Sequence, residues 1–193
     1  TANSGSPWSI GAASPTPGVP DNAIMFPWQD INPGVSSGGT NTADCGDGTF
    51  IVDFIDIAMF SCTDLLFTMQ VVLFQGTNII ETYITDKPIC ATWNGGAAIH
   101  GLENANGTQS VFVPGRNFPT QWAATNDAVR FTPNGSGSYT VDTSIPFNPI
   151  PVGSENIVWT DAAGNILGNT ASITVTPVVA TWYYCTFQSA CSA

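Results

Sequence analysis

Residues 65–84 constrain the fold more than any other stretch of the chain. They begin with Leu-Leu-Phe-Thr-Met-Gln-Val-Val-Leu-Phe-Gln and pass through Gly76-Thr77-Asn78. A run follows that places Ile79, Glu81 and Tyr83 on one face and Ile80, Thr82 and Ile84 on the other. Period two is the repeat of a strand, because successive side chains point to opposite sides of a sheet. Gln75-Gly76-Thr77-Asn78 has hairpin-turn composition. Residues 49–57 read as another strand, interrupted by Asp53 and Asp56, and shorter strands are expected at 98–102, 110–113 and 128–132. Nowhere do apolar residues recur at i, i+3, i+4, i+7 across eleven residues with a cap. The class expected is all-β.

Turn residues divide the chain. Pro7, Pro15, Pro17 and Pro20 keep residues 1–24 out of helix and inner strand, so this segment reads as an extended N-terminal arm. Residues 25–135 form a larger domain of β-sandwich or jelly-roll-like type. Pro133-Asn134-Gly135-Ser136-Gly137 marks a boundary, and residues 136–193 form a small Ig-like β-sandwich unit. Its strands are expected near 138–143, 156–160, 165–168, 171–176 and 180–187, with a tight hairpin at 161–165. A full sandwich of this kind needs about seven strands in about 100 residues. A shortened one leaves an open edge, and open edges recruit other strands. Residues 178–187, with Trp182, Tyr183, Tyr184 and Phe187, are therefore expected to pack on the larger domain or on a neighbouring chain.

Charge narrows the function. Hydrophobic residues make up 43% of the chain and charged residues only 9%, against roughly 25% in ordinary soluble domains. Asp and Glu number 14, the basic residues are Lys87, Arg116 and Arg130, and the net charge is −11. Such a chain repels phosphate, so nucleic acid is excluded as a partner, and anionic membranes are disfavoured. No apolar run approaches the roughly 20 residues of a membrane span, so membrane insertion is not expected. The start of the chain lacks the basic and apolar regions of a signal peptide. Either such a peptide has been removed or the chain is part of a longer one.

The cysteines number five, include no C-x-x-C pair, and are accompanied by a single histidine. Disulfides in an oxidising compartment fit this better than zinc, which points to a secreted or cell-surface protein. Cys62 and Cys90 flank the hairpin, whose two ends return to one place. A Cα separation of about 4.4–6.8 Å is then within reach, and closing the loop is worth roughly 3–4 kcal/mol. Cys185–Cys191 is the second choice, with Cys45 left over. An odd count leaves at least one thiol free or paired between chains.

Chemistry-bearing residues are scarce. An enzyme needs groups that titrate or attack, and His100 sits in the strand-like stretch Ala98-Ile99-His100-Gly101, where it reads as structural filling. No serine lies in a G-x-S-x-G setting. Carboxylates pair in sequence at Asp44 with Asp47 and at Asp53 with Asp56, but Asp at turns bonds the local backbone. A calcium ion at Asp44 and Asp47 is the weaker alternative, since the twelve-residue EF-hand pattern is missing. No catalytic residue, cofactor or metal is expected. The Trp count is 6, and core packing is the favoured reading for most. Trp122, in a polar loop, is the one chosen as a contact surface, together with Trp182, Tyr183 and Tyr184.

Two stretches resemble a known family. Ala23-Ile24-Met25-Phe26-Pro27-Trp28-Gln29-Asp30-Ile31-Asn32-Pro33-Gly34, the Gly38-Gly39 pair and Thr49-Phe50-Ile51-Val52-Asp53-Phe54 resemble the start of a nidogen-type extracellular β domain. Ile89-Cys90-Ala91-Thr92-Trp93-Asn94-Gly95-Gly96-Ala97-Ala98-Ile99-His100-Gly101-Leu102 and Val113-Pro114-Gly115-Arg116-Asn117 resemble modules of very large Bacteroidetes surface proteins, similar to gliding-type adhesins exported by the type IX system. Asn156-Ile157-Val158-Trp159-Thr160-Asp161 and Ser172-Ile173-Thr174-Val175-Thr176-Pro177 look like the short Ig-like unit that follows in such proteins. The resemblance spans residues 22–132 and implies a non-enzymatic adhesin or a structural module of a cell-surface fibre. The alternatives are a self-assembling filament subunit joined by inter-chain strand packing, and a glycan-binding module. Partners would be other surface-protein modules, copies of the chain itself, or glycans.

Overall fold

A computed structural model describes residues 11–17, 21–151, 156–170, 172–188 and 191. Among these residues the chain is built from β-strands and two single-turn 3-10 segments. The strands are β1 Ala23–Trp28, β2 Gly39–Asp44, β3 Thr49–Met59, β4 Cys62–Phe74, β5 Ile79–Lys87, β6 Ile99–Glu103, β7 Ser110–Phe112, β8 Ala124–Pro133, β9 Tyr139–Asp142, β10 Asn156–Asp161, β11 Ile166–Gly168 and β12 Tyr183–Gln188. All ladders between them are antiparallel. The expected all-β class holds, and the long hairpin falls where the alternation placed it, with Phe74 opposite Ile79 across the turn.

The strands form three sheets. The largest has the order β2-β3-β4-β5-β8-β9, a second runs β1-β6-β7, and a third runs β11-β10-β12. The first two face each other as a sandwich. Alternation along β4 shows why: Phe67, Met69 and Val71 enter the cluster shared with Phe26, Leu102, Val113 and Trp122 of the facing layer. Gln70 and Val72 point to the other side, where Val72 joins Ala43, Ile51, Tyr83 and Ala128. Removing this much apolar surface from water drives the assembly at about 25 cal/mol per Å². Every buried hydrophobic residue among those described lies between Met25 and Phe131.

The outer face of the large sheet is closed by an irregular segment. Ile145, Phe147 and Ile150 pack on it. Gln70 fastens that segment by acting as a surrogate peptide group. Its Nε2 donates to the Ile150 carbonyl at 2.8 Å, and the Ile150 N–H donates to its Oε1 at 2.8 Å. Gln70 Nε2 also donates to Asp53 at 2.9 Å. Burial holds the Asp53 carboxyl above its usual range, against the pull of that bond.

Three expectations are corrected. Strand 139–142 does not belong to the small C-terminal unit: β9 pairs with β8 as an edge of the large sheet. The Gly135-Ser136-Gly137 run is thus a hairpin turn rather than a domain boundary. Residues 172–176 form no strand, since both sides of β10 are occupied by β11 and β12. Cys185–Cys191 does not form either. Cys191 bonds Cys45 across a sequence separation of 146 residues, and Cys185 is a free, exposed thiol. The reason is topological: Cys45 follows β2 at the end of the large sheet, where the returning tail meets it. Cys62–Cys90 forms as expected, with Cα atoms 5.8 Å apart.

The N-terminal arm is only partly within the described residues. Its residue Ser14 is buried: the hydroxyl donates to Glu103, and the backbone N–H donates to Asn117 Oδ1 at 3.0 Å. Asn117 returns a bond to the Ser14 carbonyl at 2.7 Å. This part of the arm is stitched to the β6 side of the sandwich.

Candidate functional site

The single histidine, the single lysine and Arg116 with Asp127 are gathered into a box beneath the loop that joins β7 to β8. Trp122 forms its lid. The residue is 8% exposed, and its indole N–H donates to the Ala98 carbonyl at 2.8 Å. His100 stacks on the ring at 5.8 Å, Lys87 Nζ sits 4.3 Å from its centroid, and the Arg116 guanidinium 4.6 Å from it. A cation over an indole face is drawn to the negative face of the ring. Trp122 is therefore not a contact surface. Its polar loop folds inward because the ring alone can roof two cations and an imidazole together.

Each ionisable group in the box has its partners. Arg116 grips Asp127 through two bonds of 2.6 Å and also reaches His100 Nδ1 at 3.2 Å. His100 Nε2 meets the Thr82 hydroxyl at 3.0 Å. Lys87 Nζ donates to the Trp122 carbonyl at 2.8 Å and to the Pro88 carbonyl at 3.3 Å. Gly101, next to His100, must be glycine, since a Cβ there would strike the Val111 carbonyl and the Phe112 backbone. Burial, the charge of Arg116 and the charge of Lys87 push the His100 pKa down to about 3, with Asp127 opposing them. Burial and Arg116 lower that of Lys87 to about 8. Burial works upward on Asp127, but the Arg116 bonds and charge outweigh it and hold the carboxyl below its usual range.

These shifts predict an acid limb. His100 is neutral in the fold down to about pH 3 and protonates near 6.5 when unfolded. Between those values the unfolded chain binds the extra proton, so stability falls as pH drops through this window. One proton corresponds to about 1.4 kcal/mol per pH unit. Lys87 acts with the same sign at higher pH: its folded pKa of about 8 lies below its ordinary 10.5, so stability rises between them. Urea titrations at pH 6.5, 5.5 and 4.5 should show the His100 slope, and a His100→Gln chain should show a shallower one.

The remaining basic residue is half-exposed and is held by a buried carboxylate. Arg130 pairs with the buried Glu81 at 2.5 Å, and Glu81 accepts a bond from Tyr83 at 2.5 Å. All three basic side chains thus face carboxylates, carbonyls or the indole ring, and Arg130 alone of them is substantially exposed. The calcium candidates point to turns: Asp44 Oδ1 accepts the Gly46 N–H at 3.0 Å and Asp47 Oδ1 accepts the Thr49 N–H at 2.9 Å. The second bond holds the Asp47 carboxyl below its usual range. Among the described residues no three His, Cys, Asp or Glu side chains converge as a metal site.

The C-terminal sheet is of another character. No described residue between 157 and 186 is buried. Val178 is 97% exposed, Trp182 74%, and Val179 and Ile166 72% each, with Tyr184, Leu167 and Val175 also in water. Trp182 and Tyr184 are thus surface groups, as expected of a contact surface, and Tyr183 is half-buried. β12 is an edge strand paired only with β10. A three-stranded sheet must cover an apolar face to persist on its own. This one leaves Ile166, Leu167 and Tyr184 in water and fully buries none of its described side chains, and the chain beyond it is tied to the sandwich through Cys191.

At the start of β5, the end opposite Lys87, the sandwich gapes. Two adjoining cavities of about 390 and 430 Å³ share Ile24, Ile80 and Tyr139. Their walls include Phe50, Leu73, Leu102 and Val111. Ile24 and Phe50 at the rim are each 40% exposed. Nothing in the sequence pattern marked this groove, because its residues come from eight separate strands.

These features define a disulfide-bonded antiparallel β-sandwich that carries an uncovered three-stranded sheet. No family model, no curated protein and no solved structure matches the chain. The two disulfides favour an oxidising environment, and no described helix is long and apolar enough to cross a membrane.

Proposed function

We propose that the chain is a non-enzymatic extracellular structural module of a cell-surface fibre, and that it joins to further copies of itself through its C-terminal sheet. One observation carries this reading: Ile166 on β11, and Val178, Val179 and Trp182 in the segment that leads into the open edge strand β12, all stand in water. Contiguous exposed apolar groups on a folded domain mark interaction surfaces, and open edges pair with strands. A second observation favours assembly over a free-standing glycan-binding module: Trp122, the contact-surface candidate of the polar loop, is roofed into the core.

The chemistry supports the absence of catalysis. The single histidine is buried with both ring nitrogens engaged, and the single lysine is equally enclosed. The resemblance of residues 22–132 to modules of Bacteroidetes adhesins of the type IX class fits a role outside the cell, and the paired cysteines fit that place. With each of the three cations already paired or enclosed within the chain, nucleic acid remains a poor partner.

Sedimentation velocity combined with negative-stain electron microscopy tests the reading. The full chain is expected to pass from 20.2 kDa to larger, regularly spaced species as concentration rises. The transition should come earlier in salt, because the net −11 is screened beyond about 8 Å at physiological ionic strength. A 20.2 kDa species at every concentration and salt would remove the proposal.

A further inference from the structure

We infer that the groove at the gaping end of the sandwich receives the apolar C-terminal segment of a second copy, so that chains add head to tail. This rests on the assembly reading above and names the surface that the exposed sheet meets. The groove is a pair of adjoining cavities of about 390 and 430 Å³, a size that accommodates several side chains. The guest is residues 175–184, whose Val178, Val179 and Trp182 stand almost wholly in water.

Three observations select a second copy as the occupant. The first is charge. The chain carries −11, yet no Asp, Glu, Lys or Arg follows Asp161 in its sequence. The groove carries Asp44 and Glu103 on its walls. Most of the surface of another copy is repelled there, but its C-terminal segment is not. The second is an unmet polar group. Ser110 Oγ, on the groove wall, is out of water and has no hydrogen-bond partner among the described residues. A buried hydroxyl without a partner is costly, and an inserted backbone supplies one. The third is placement. Guest and groove are different surfaces of one chain, so the contact is heterologous. Repeating it without closure gives a filament rather than a dimer.

Complementation between two full-length variants tests this. Val178→Asp with Val179→Asp removes the guest, and Ile24→Asp with Phe50→Asp removes the host. All four positions are exposed, so the fold tolerates them, and Ile24→Ser with Phe50→Ser serves if the acidic pair does not fold. Each variant alone is expected to remain a monomer at concentrations about tenfold above the wild-type onset, since two large apolar contacts are lost. Mixed in equal amounts, they should form species that stop at two chains, because one intact groove then meets one intact tail. A groove variant that assembles at the wild-type concentration would overturn this inference and leave the assembly reading standing. So would a mixture that stays monomeric. A tail variant that assembles undiminished would remove both.

Discussion

Asp127→Ala is expected to cost the fold about 3–5 kcal/mol, the loss that follows when one member of a buried ion pair is deleted. Arg116 would keep its place beside His100 and over Trp122, but with its two 2.6 Å bonds to carboxylate gone. The neighbouring groups offer no substitute, since Lys87 carries the same charge and His100 is neutral. Asp127 itself is about one-quarter exposed, so water softens the loss towards the lower end. A double change of Arg116→Leu with Asp127→Leu should recover much of it, because removing both charges leaves nothing unpaired. Urea unfolding of the three chains measures both terms. A single variant no less stable than the double one would show that the pair is not buried in the sense that matters.

Trp122→Ala is expected to cost a similar amount, about 3–5 kcal/mol as for other buried aromatic deletions. Its effect should also spread. The ring covers Lys87, Arg116 and His100 at once, so its loss admits water to the box. Stability should then depend less steeply on pH between about 3 and 6.5, the interval over which His100 is kept neutral. Were Trp122 the exposed contact group that its polar loop suggests, the substitution would leave unfolding unchanged and alter only binding. Denaturation curves at two pH values separate these outcomes.

What the sequence discloses follows how local the cause is. The hairpin of β4 and β5 is legible because period-two alternation and a Gly turn lie within twenty neighbouring positions. Cys62–Cys90 is legible for the same reason, since the bridge closes the hairpin it flanks. β1 and β2 are not legible as strands: β1 contains Pro27, and β2 reads Gly-Thr-Asn-Thr-Ala-Asp with only Ala43 buried. Edge strands need little apolar pattern because one side of the ladder and one face are wet.

Longer-range causes leave no local trace. Cys191 finds Cys45 from the far end of the chain. Trp122 is drawn in by Lys87 and Ala98, which are remote in sequence. Its loop looks polar because the residues around it are polar, whereas its fate is set by partners on β5 and β6. Lys87 shows the reverse case. It stands beside Asp86 and Pro88 as though in a solvated turn, yet it is fully buried, held by two carbonyls and a ring. The open C-terminal sheet was foreseeable in kind, because too few strands follow residue 136 to close a sandwich. Its separation from β9 was not, since the Gly-rich turn after Pro133 resembles a linker as closely as a hairpin.

Amide hydrogen exchange of residues 175–186, followed from dilute to concentrated protein, tests the central claim most directly. These backbone groups lie on or beside an open edge and should exchange quickly in the monomer. Assembly through the sheet predicts that they slow markedly as concentration rises, while the strands of the large sheet keep their rates. Exchange that stays fast in this segment, at concentrations where other chains of such exposed apolar surface would associate, would contradict the account.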